Sequence, residues 1–456
     1  MDKLESLRTA AAALATDAAS RQRFAVDGAV PSAVVEPADA KELVDIVAWA
    51  RAHKAALIPA TSGVYLPLGN PPAAADVAVS LARLNRVRDY DPGDLTLTVE
   101  AGVPLLKLHE LLAEKNQFLP ALVPYFDRAA VGGAVAANVN GPLRCAYGTW
   151  RDFVLGMKFV TGEGKLVKTG GRVVKNVAGY DLAKLLIGSL GSLGILTEIS
   201  FKAFPRPPGR ASFVIGFREL ADAAALAKRI VHSVLQPTVL ELLDQPTGQL
   251  LGRAELAAHP WTLLVAVGGV ERVLARCEAD LGAMARDARA ASFSAHLRDH
   301  PTEMWTAVRE RIARARAANP AATIVKCALP LTNAGAFLDK ARQVAARYEL
   351  PCASSAHAAS GIAYLYLLPA LRSSESAGGP AAITDVARRM AQAATEMVHA
   401  GNNLGGRTTI PWCPTEVKRD VNPWGPLRDD FPLMQKLKAQ FDPDRILNPG
   451  RFVGGL

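Results

Sequence analysis

The chain has 456 residues, half of them hydrophobic, with 52 Lys and Arg against 43 Asp and Glu for a formal charge of +9. This is enough apolar material for two or three domains, while the mild basic excess does not describe a nucleic-acid groove, and no apolar run reaches the ~18 residues that span a bilayer. The five cysteines lie far apart and form no CxxC, so neither an iron–sulfur nor a zinc spacing is present and reduced thiols are expected.

In chain order, residues 1–27 read as an N-terminal amphipathic helix, with Asp2 and Glu5 arguing against a targeting peptide. Residues 33–59 form a strand–helix–strand unit. "DVAVSL" at 76–81 and "LTLTVEAGV" at 95–103 continue with strands, and Pro104 opens a helix. A hairpin over 153–169 turns at Gly162-Glu163-Gly164, a helix covers 178–187, and a strand covers 195–204. Pro207-Pro208 marks a domain boundary. Beyond it, strands at 212–217, 237–243, 262–267, 323–329, 351–356 and 362–368 alternate with helices at 218–234, 270–285, 302–317 and 332–348, suggesting two copies of a strand–helix–strand motif. Arg309, Arg311, Arg314 and Arg316 read as one solvated helix face. A polar loop at 373–382 precedes a helix over 383–400, and the tail from 401 reads as irregular until "FPLMQKLKAQF".

The stretch "GGRVVKNVAGYDLAKLLIGSLGSLGILTEI" at 170–199 places its glycines after a helix and before a strand. A dinucleotide loop needs the opposite order, because a helix C-terminus repels phosphate, and no GK[ST] follows for a P-loop. Two readings remain: Gly188 caps the helix in left-handed geometry, or the backbone at Gly194-Ile195 approaches a ligand. "VGGAVAANVNGPLRCAYGTWRDF" at 131–153 and "IPATSGVYLPLGNPP" at 58–72 add two more segments poor in side chains, the latter suited to wrapping a phosphate with backbone N–H groups.

These segments, with "FDPDRILNPGRFVGGL" at the C-terminus, resemble the FAD-binding oxidoreductases of the vanillyl-alcohol oxidase (PCMH-type) superfamily, and within it the E-type FAD-binding subunits of bacterial glycolate oxidase. The resemblance implies an α+β fold: a two-subdomain FAD-binding domain over 28–206, an α+β ferredoxin-like cap over 210–400, and a segment over 401–456 returning to the first domain. It places the cofactor against Pro59, Thr61, Ser62, Gly63 and Val64, against Gly132, Gly133, Asn138, Gly141, Tyr147 and Gly148, against the backbone of Gly194 and Ile195, and near Asn448 and Arg451. The first loop departs from the family's P-R-G-x-G-T: Thr61 adds a Cβ where positive φ is common, and Val64 removes a hydroxyl. It contains no histidine, so FAD is expected to be noncovalent.

Catalytic relatives carry H-x-G-D-G-N-x-H and a later E-H-G, for which this chain has "SAHAASGIAYLYL" and "GGRTTIPWCPTEV". His357 is left as the candidate base and Arg407 as the candidate carboxylate anchor. His296 and His300 lack an HExxH pattern and read as surface, Cys413 reads as an inert thiol, and no metal site is expected. The implied function is the FAD-binding subunit of a glycolate oxidase-type 2-hydroxy-acid dehydrogenase. It would act on glycolate or another small 2-hydroxy acid, with a catalytic flavin subunit and an iron–sulfur subunit as partners, in the cytoplasm and membrane-associated only through partners. The alternatives are an accessory subunit with a degenerate FAD site and a stand-alone flavin dehydrogenase.

Overall fold

The computed structural model describes residues 3–172, 180–297, 302–370 and 380–456. Part of the glycine-rich stretch, the polar loop from 373 and His300 therefore lie outside the described residues. Two compact units appear. One comprises 1–140, 149–206 and 426–456; the other comprises 141–148 and 207–425.

The N-terminal region forms two helices, Lys3–Ala10 and Ala18–Arg23, separated by strand β1 (Leu14–Ala15), where one helix was expected. Asp17 breaks the run because its carboxylate caps the second helix, accepting from the Ser20 N–H. Strands β2 (Ala33–Val35), β3 (Leu57–Ala60) and β4 (Val77–Ser80) pair in parallel, in the order β1-β2-β4-β3. Helix Ala40–His53 makes the β2–β3 crossover, burying Leu43, Ile46, Val47 and Trp49. It is closed by Asp39, which accepts from Lys41 and Glu42 N–H, and by Lys54 in left-handed geometry.

A second sheet follows: β5 (Val87–Asp91), β6 (Thr96–Glu100), β8 (Val154–Val160), β9 (Leu166–Gly170) and β10 (Ile195–Lys202), antiparallel in the order β5-β6-β10-β8-β9. Two short strands, β7 (Gln117–Phe118) and β11 (Phe204–Pro205), pair separately. The C-terminal segment of this unit enters beside β3: Leu57 N–H donates to the Ile446 carbonyl, and Asn448 N–H to the Leu57 carbonyl.

The second unit is built on one eight-stranded antiparallel sheet made of β12 (Gly209–Phe217), β13 (Val239–Asp244), β14 (Trp261–Gly269), β15 (Ser292–His296), β16 (Thr323–Ala328), β17 (Cys352–His357), β18 (Ile362–Leu367) and β19 (Arg407–Trp412). Its order, β15-β12-β14-β13-β17-β18-β16-β19, resolves into two ferredoxin-like βαββαβ halves joined edge to edge at β13 and β17. The seam pairs only Glu241, Leu242 and Leu243 with His357, Ala356 and Ser355. Helices Leu220–Val231, Glu271–Asp287, Ala334–Arg347 and Pro380–Asn403 build a core with one face of the sheet, around Leu226, Ile230, Leu281, Phe337, Val344 and Met397. On the other face Met304, Trp305 and Val308 pack on Val214, Leu243 and Leu264.

Two expectations change here. Residues 302–317 form two helices, Thr302–Arg309 and Arg311–Ala318, broken at Glu310. Arg407–Trp412 is a strand of this sheet, pairing with β16, so the segment returning to the first unit begins at 426 rather than 401. The alternation of Thr408, Ile410 and Trp412 inward is short and interrupted by Pro411, which hid it among the surrounding glycines and prolines.

Candidate cofactor cleft and a buried polar seam

The first unit contains an open cleft whose walls are four of its backbone segments. The first wall is the loop leaving β3, from Pro59 to Leu66. Its left-handed residue is Gly63, at φ +82°, and Thr61 avoids that region, so the strain expected at Thr61 does not arise. Thr61 is buried, and Tyr65 anchors the loop by donating its hydroxyl to the Pro124 carbonyl at 2.7 Å. The second wall is helix Val131–Ala136, presenting Gly132, Gly133, Ala136 and Ala137. A Cβ on Gly133 would sit 2.8 Å from Thr61 Oγ1, so the glycine is what lets these two walls meet.

The third wall runs from Leu190 to Leu196. Gly188, which precedes it, has φ +87° but does not close the helix Leu182–Leu186; its N–H donates to the Val135 carbonyl, and Leu190 N–H donates to Ala136. The segment is thus hydrogen-bonded to the second wall, which replaces the capping reading. Gly194 and Ile195 both line the cleft. Gly194 also owes its identity to packing, because a Cβ there would lie 2.7 Å from the Phe159 ring. The fourth wall brings Asn448 and Arg451 from the C-terminal segment. The Arg451 guanidinium donates to the carbonyls of Leu66 and Leu68, fastening the end of the first loop, and burial pushes its pKa down to about 10 against the opposing pull of Asp27.

Pro59, Thr61 to Val64, Gly132, Gly133, Gly194, Ile195, Asn448 and Arg451 all line one cleft. Asn138 does not line it: its side chain packs on Gly188 and accepts from Asn140 Nδ2 at 2.9 Å. Gly141, Tyr147 and Gly148 belong to the 141–148 segment, which groups with the second unit and carries Cys145, whose thiol donates to the Thr238 carbonyl at 3.0 Å. Tyr65, Leu190 and Gly191 line the cleft without having been anticipated. The adjacent Ser-Leu-Gly repeats were the available signal for the last two.

Two polar atoms on these walls, Ser62 Oγ and Asn448 Oδ1, are buried with no hydrogen-bond partner. Such atoms are costly unless a bound group completes them. A hydroxyl and an amide oxygen, set among backbone-rich walls, suit a ligand carrying hydroxyl and amide hydrogens beside phosphate and a flat ring. FAD fits that description.

In the second unit, His357 sits at the β13–β17 seam and is 1% exposed. Its Nδ1 is hydrogen-bonded to Glu241, and its Nε2 lies 3.1 Å from Arg311 Nη2. Arg311 also donates to the second Glu241 oxygen at 3.0 Å and to the Val308 carbonyl at 3.2 Å, and stacks on Tyr364 at 5.1 Å. An arginine can only donate, so Nε2 is the acceptor and Nδ1 carries the proton given to Glu241. Burial pushes the His357 pKa below its ordinary value, with Glu241 pulling the other way and Arg311 adding to the fall. The imidazole is neutral with both nitrogens engaged. Arg407 opens β19 and is exposed. The register places it in one row with His357 through Ile362 and Ala328, three strand spacings or roughly 14 Å away. Base and anchor candidates are therefore on the same row but not in contact. Arg311 corrects the solvated-face reading of its arginine run, and Glu241, within "VLELLD", was the visible hint of a buried charge.

All five cysteines are free, and burial raises the Cys145 and Cys327 thiols to about 11. Among the described residues no group of three His, Cys, Asp or Glu could hold a metal ion, and no helix is long and apolar enough to cross a membrane.

Residues 31–170 match the FAD binding domain family, and residues 206–452 match the C-terminal domain of the FAD linked oxidases. The chain belongs to the FAD-linked oxidases: it is an FAD-dependent oxidoreductase, and FAD is its cofactor. It is 26% identical to the glycolate oxidase subunit GlcD of Bacillus subtilis (strain 168) over 92% of this chain and 89% of that one. To the glycolate oxidase subunit GlcE of Escherichia coli (strain K12) it is 40% identical, over 43% of this chain and 54% of that one. Among solved structures, p-cresol methylhydroxylase superposes with a TM-score of 0.78 at 15% identity, covering 98% of this chain and 96% of that chain, which is a likeness of fold.

Proposed function

We propose that the chain is the FAD-binding subunit of a glycolate oxidase-type 2-hydroxy-acid dehydrogenase, working with a catalytic flavin subunit and passing electrons toward an iron–sulfur partner. The observation that carries this reading is the pair of unpartnered polar atoms, Ser62 Oγ and Asn448 Oδ1, on a cleft whose walls are otherwise mostly backbone and apolar side chain. Bound there, FAD supplies a two-electron acceptor that can release electrons singly. Ser62 and Asn448 complete its hydrogen bonds, the Gly133–Thr61 contact keeps two walls close, and Arg451 holds the Leu66–Leu68 turn. His357 is a poor base in this reading, since its free lone pair already accepts from Arg311. Its role is to hold Glu241 and Arg311 together, and proton removal from the hydroxy acid falls to the catalytic partner. Arg407, exposed, is left to meet a carboxylate. Similarity to relatives named glycolate oxidase subunits supports the assignment.

A second reading has its own support. The alternative is a stand-alone flavin-dependent hydroxy-acid dehydrogenase, supported by similarity to a relative named D-lactate dehydrogenase rather than a subunit. Anaerobic addition of glycolate and D-lactate to the purified flavoprotein separates the two. The subunit reading expects an unchanged flavin spectrum for the isolated chain and bleaching once the partners are added. Rapid bleaching of the isolated chain overturns it in favour of the stand-alone enzyme, and a colourless chain that does not take up FAD overturns both.

A further inference from the structure

We infer that Lys438 is a positioning residue for the cofactor cleft, acting as a bolt behind the two walls that carry Leu190 and Asn448. Those two residues are hydrogen-bonded across the cleft, Asn448 Nδ2 donating to the Leu190 carbonyl at 2.5 Å. Both hold left-handed backbone, Leu190 at φ +52° and Asn448 at φ +44°. Asparagine tolerates that region but leucine disfavours it, so Leu190 persists there only because its surroundings over-determine it. The bond fixes the Asn448 amide with Nδ2 toward Leu190, and its Oδ1 is buried and open to a ligand donor.

The surroundings converge on one ammonium. Lys438 lies on helix Phe431–Phe441 and is 2% exposed. Its Nζ donates to the Ser192 carbonyl at 2.8 Å, to the Leu447 carbonyl at 2.9 Å and to Asp442 Oδ2 at 2.6 Å. Ser192 is two residues from Leu190, and Leu447 precedes Asn448. The single charge thus fixes both sides of the Leu190–Asn448 contact from behind. Asp442, wholly buried, balances the charge and shapes the tail, accepting from Ile446 N–H at 3.1 Å and Leu447 N–H at 2.9 Å. Leu57, at the start of β3, takes the Asn448 N–H on its carbonyl, so the same device reaches the strand that feeds the first loop.

A buried ion pair is not needed for packing, because apolar residues of similar volume stabilise an interior at least as well. What an ammonium adds is three directed donors on a compact charge, and here each finds an acceptor on a different part of the cleft's frame. The geometry fits a role in presenting Asn448 Oδ1, and it rests on the reading of this cleft as the FAD site.

The test titrates FAD into flavin-free protein, following quenching of flavin fluorescence, alongside urea unfolding of the flavin-free forms. Wild type, K438M, the charge-free double variant K438M/D442N, D442N alone and a destabilised control, L112A, are compared. Leu112 is buried in helix Leu105–Ala113 and does not line the cleft. Tenfold or greater weakening of FAD is expected in both Lys438 variants, with L112A binding like wild type despite lower stability. The double variant leaves no unpaired buried charge and keeps a side-chain oxygen for the tail N–H groups, and read against D442N it reports on Lys438 even where K438M fails to fold. Wild-type FAD affinity in a folded Lys438 variant overturns the inference. Equal weakening in L112A also overturns it, by showing that affinity merely follows stability. Failure of wild type itself to bind FAD removes the cofactor reading beneath it.

Discussion

Arg311 touches both partners of the seam, Glu241 and His357, and its removal strands a carboxylate in the interior. Breaking a buried pair in this way costs about 3–5 kcal/mol, whereas replacing all members by apolar residues is close to neutral. R311M is therefore expected to lower the stability of the second unit by that amount in urea unfolding, and the triple change E241L/H357L/R311M to restore most of it. His357 itself makes a pH prediction. Its folded pKa lies below the ordinary 6.5, so the unfolded chain binds the extra proton first as pH falls. Stability then rises with pH up to about 6.5 and is flat above it. H357Q is expected to remove up to one proton's worth of slope below pH 6.5, measured by urea unfolding across that range. Sequence reading reached His357 through a motif. It missed Glu241 and Arg311, which are 70 and 46 residues apart from their partners along the chain. Only strand register brings such positions together.

At the scale of elements, the four helices on one face of the eight-stranded sheet announce themselves by apolar periodicity, and their expected spans fall close to the observed ones. What holds them to one another is less visible. Arg389, in helix Pro380–Asn403, donates to the Tyr348 carbonyl at 3.0 Å, to Glu349 at 3.3 Å and to Ala370 at 2.7 Å, and pairs with Asp385 at 2.8 Å. It thereby ties the turn just past helix Ala334–Arg347 to helix Pro380–Asn403, giving donors to the carbonyls of the cap residue Tyr348 and of Glu349. R389M is expected to cost about 2–4 kcal/mol in the second unit, since several carbonyls and a carboxylate lose their partner together. FAD affinity should be unchanged, which titration of the variant checks. The strand Arg407–Trp412 shows the opposite case: its own pattern is weak, and pairing with β16 makes it a strand.

For the whole molecule, the cleft makes a thermodynamic statement. A ligand that binds only the folded state stabilises it by about 2.7 kcal/mol at a hundredfold excess over its Kd. Saturating FAD is expected to raise the stability of the first unit accordingly. Hydrogen exchange should show new protection concentrated in 57–68, 131–137, 188–196 and 446–451, the segments that form and support the four walls. Uniform protection across 207–425 instead would argue that the cofactor is held elsewhere.

The amino-acid sequence by itself determined the alternation of elements, the break at Pro207, and the glycine-bearing segments from which the cleft is built. These are local properties, set by side-chain periodicity and by where a backbone lacks a Cβ. It also excluded a helix-dipole phosphate loop at 170–199, because the order of helix, glycines and strand is a matter of chain direction alone. Tertiary structure decided the rest. The sheet order β15-β12-β14-β13-β17-β18-β16-β19 joins two ferredoxin-like halves through three residue pairs that no local pattern announces. The Lys438 ammonium meets Ser192, 246 residues away, and Asn448 meets Leu190 across 258. Contacts of that separation depend on which surfaces the folded backbone brings together, which side-chain spacing does not encode.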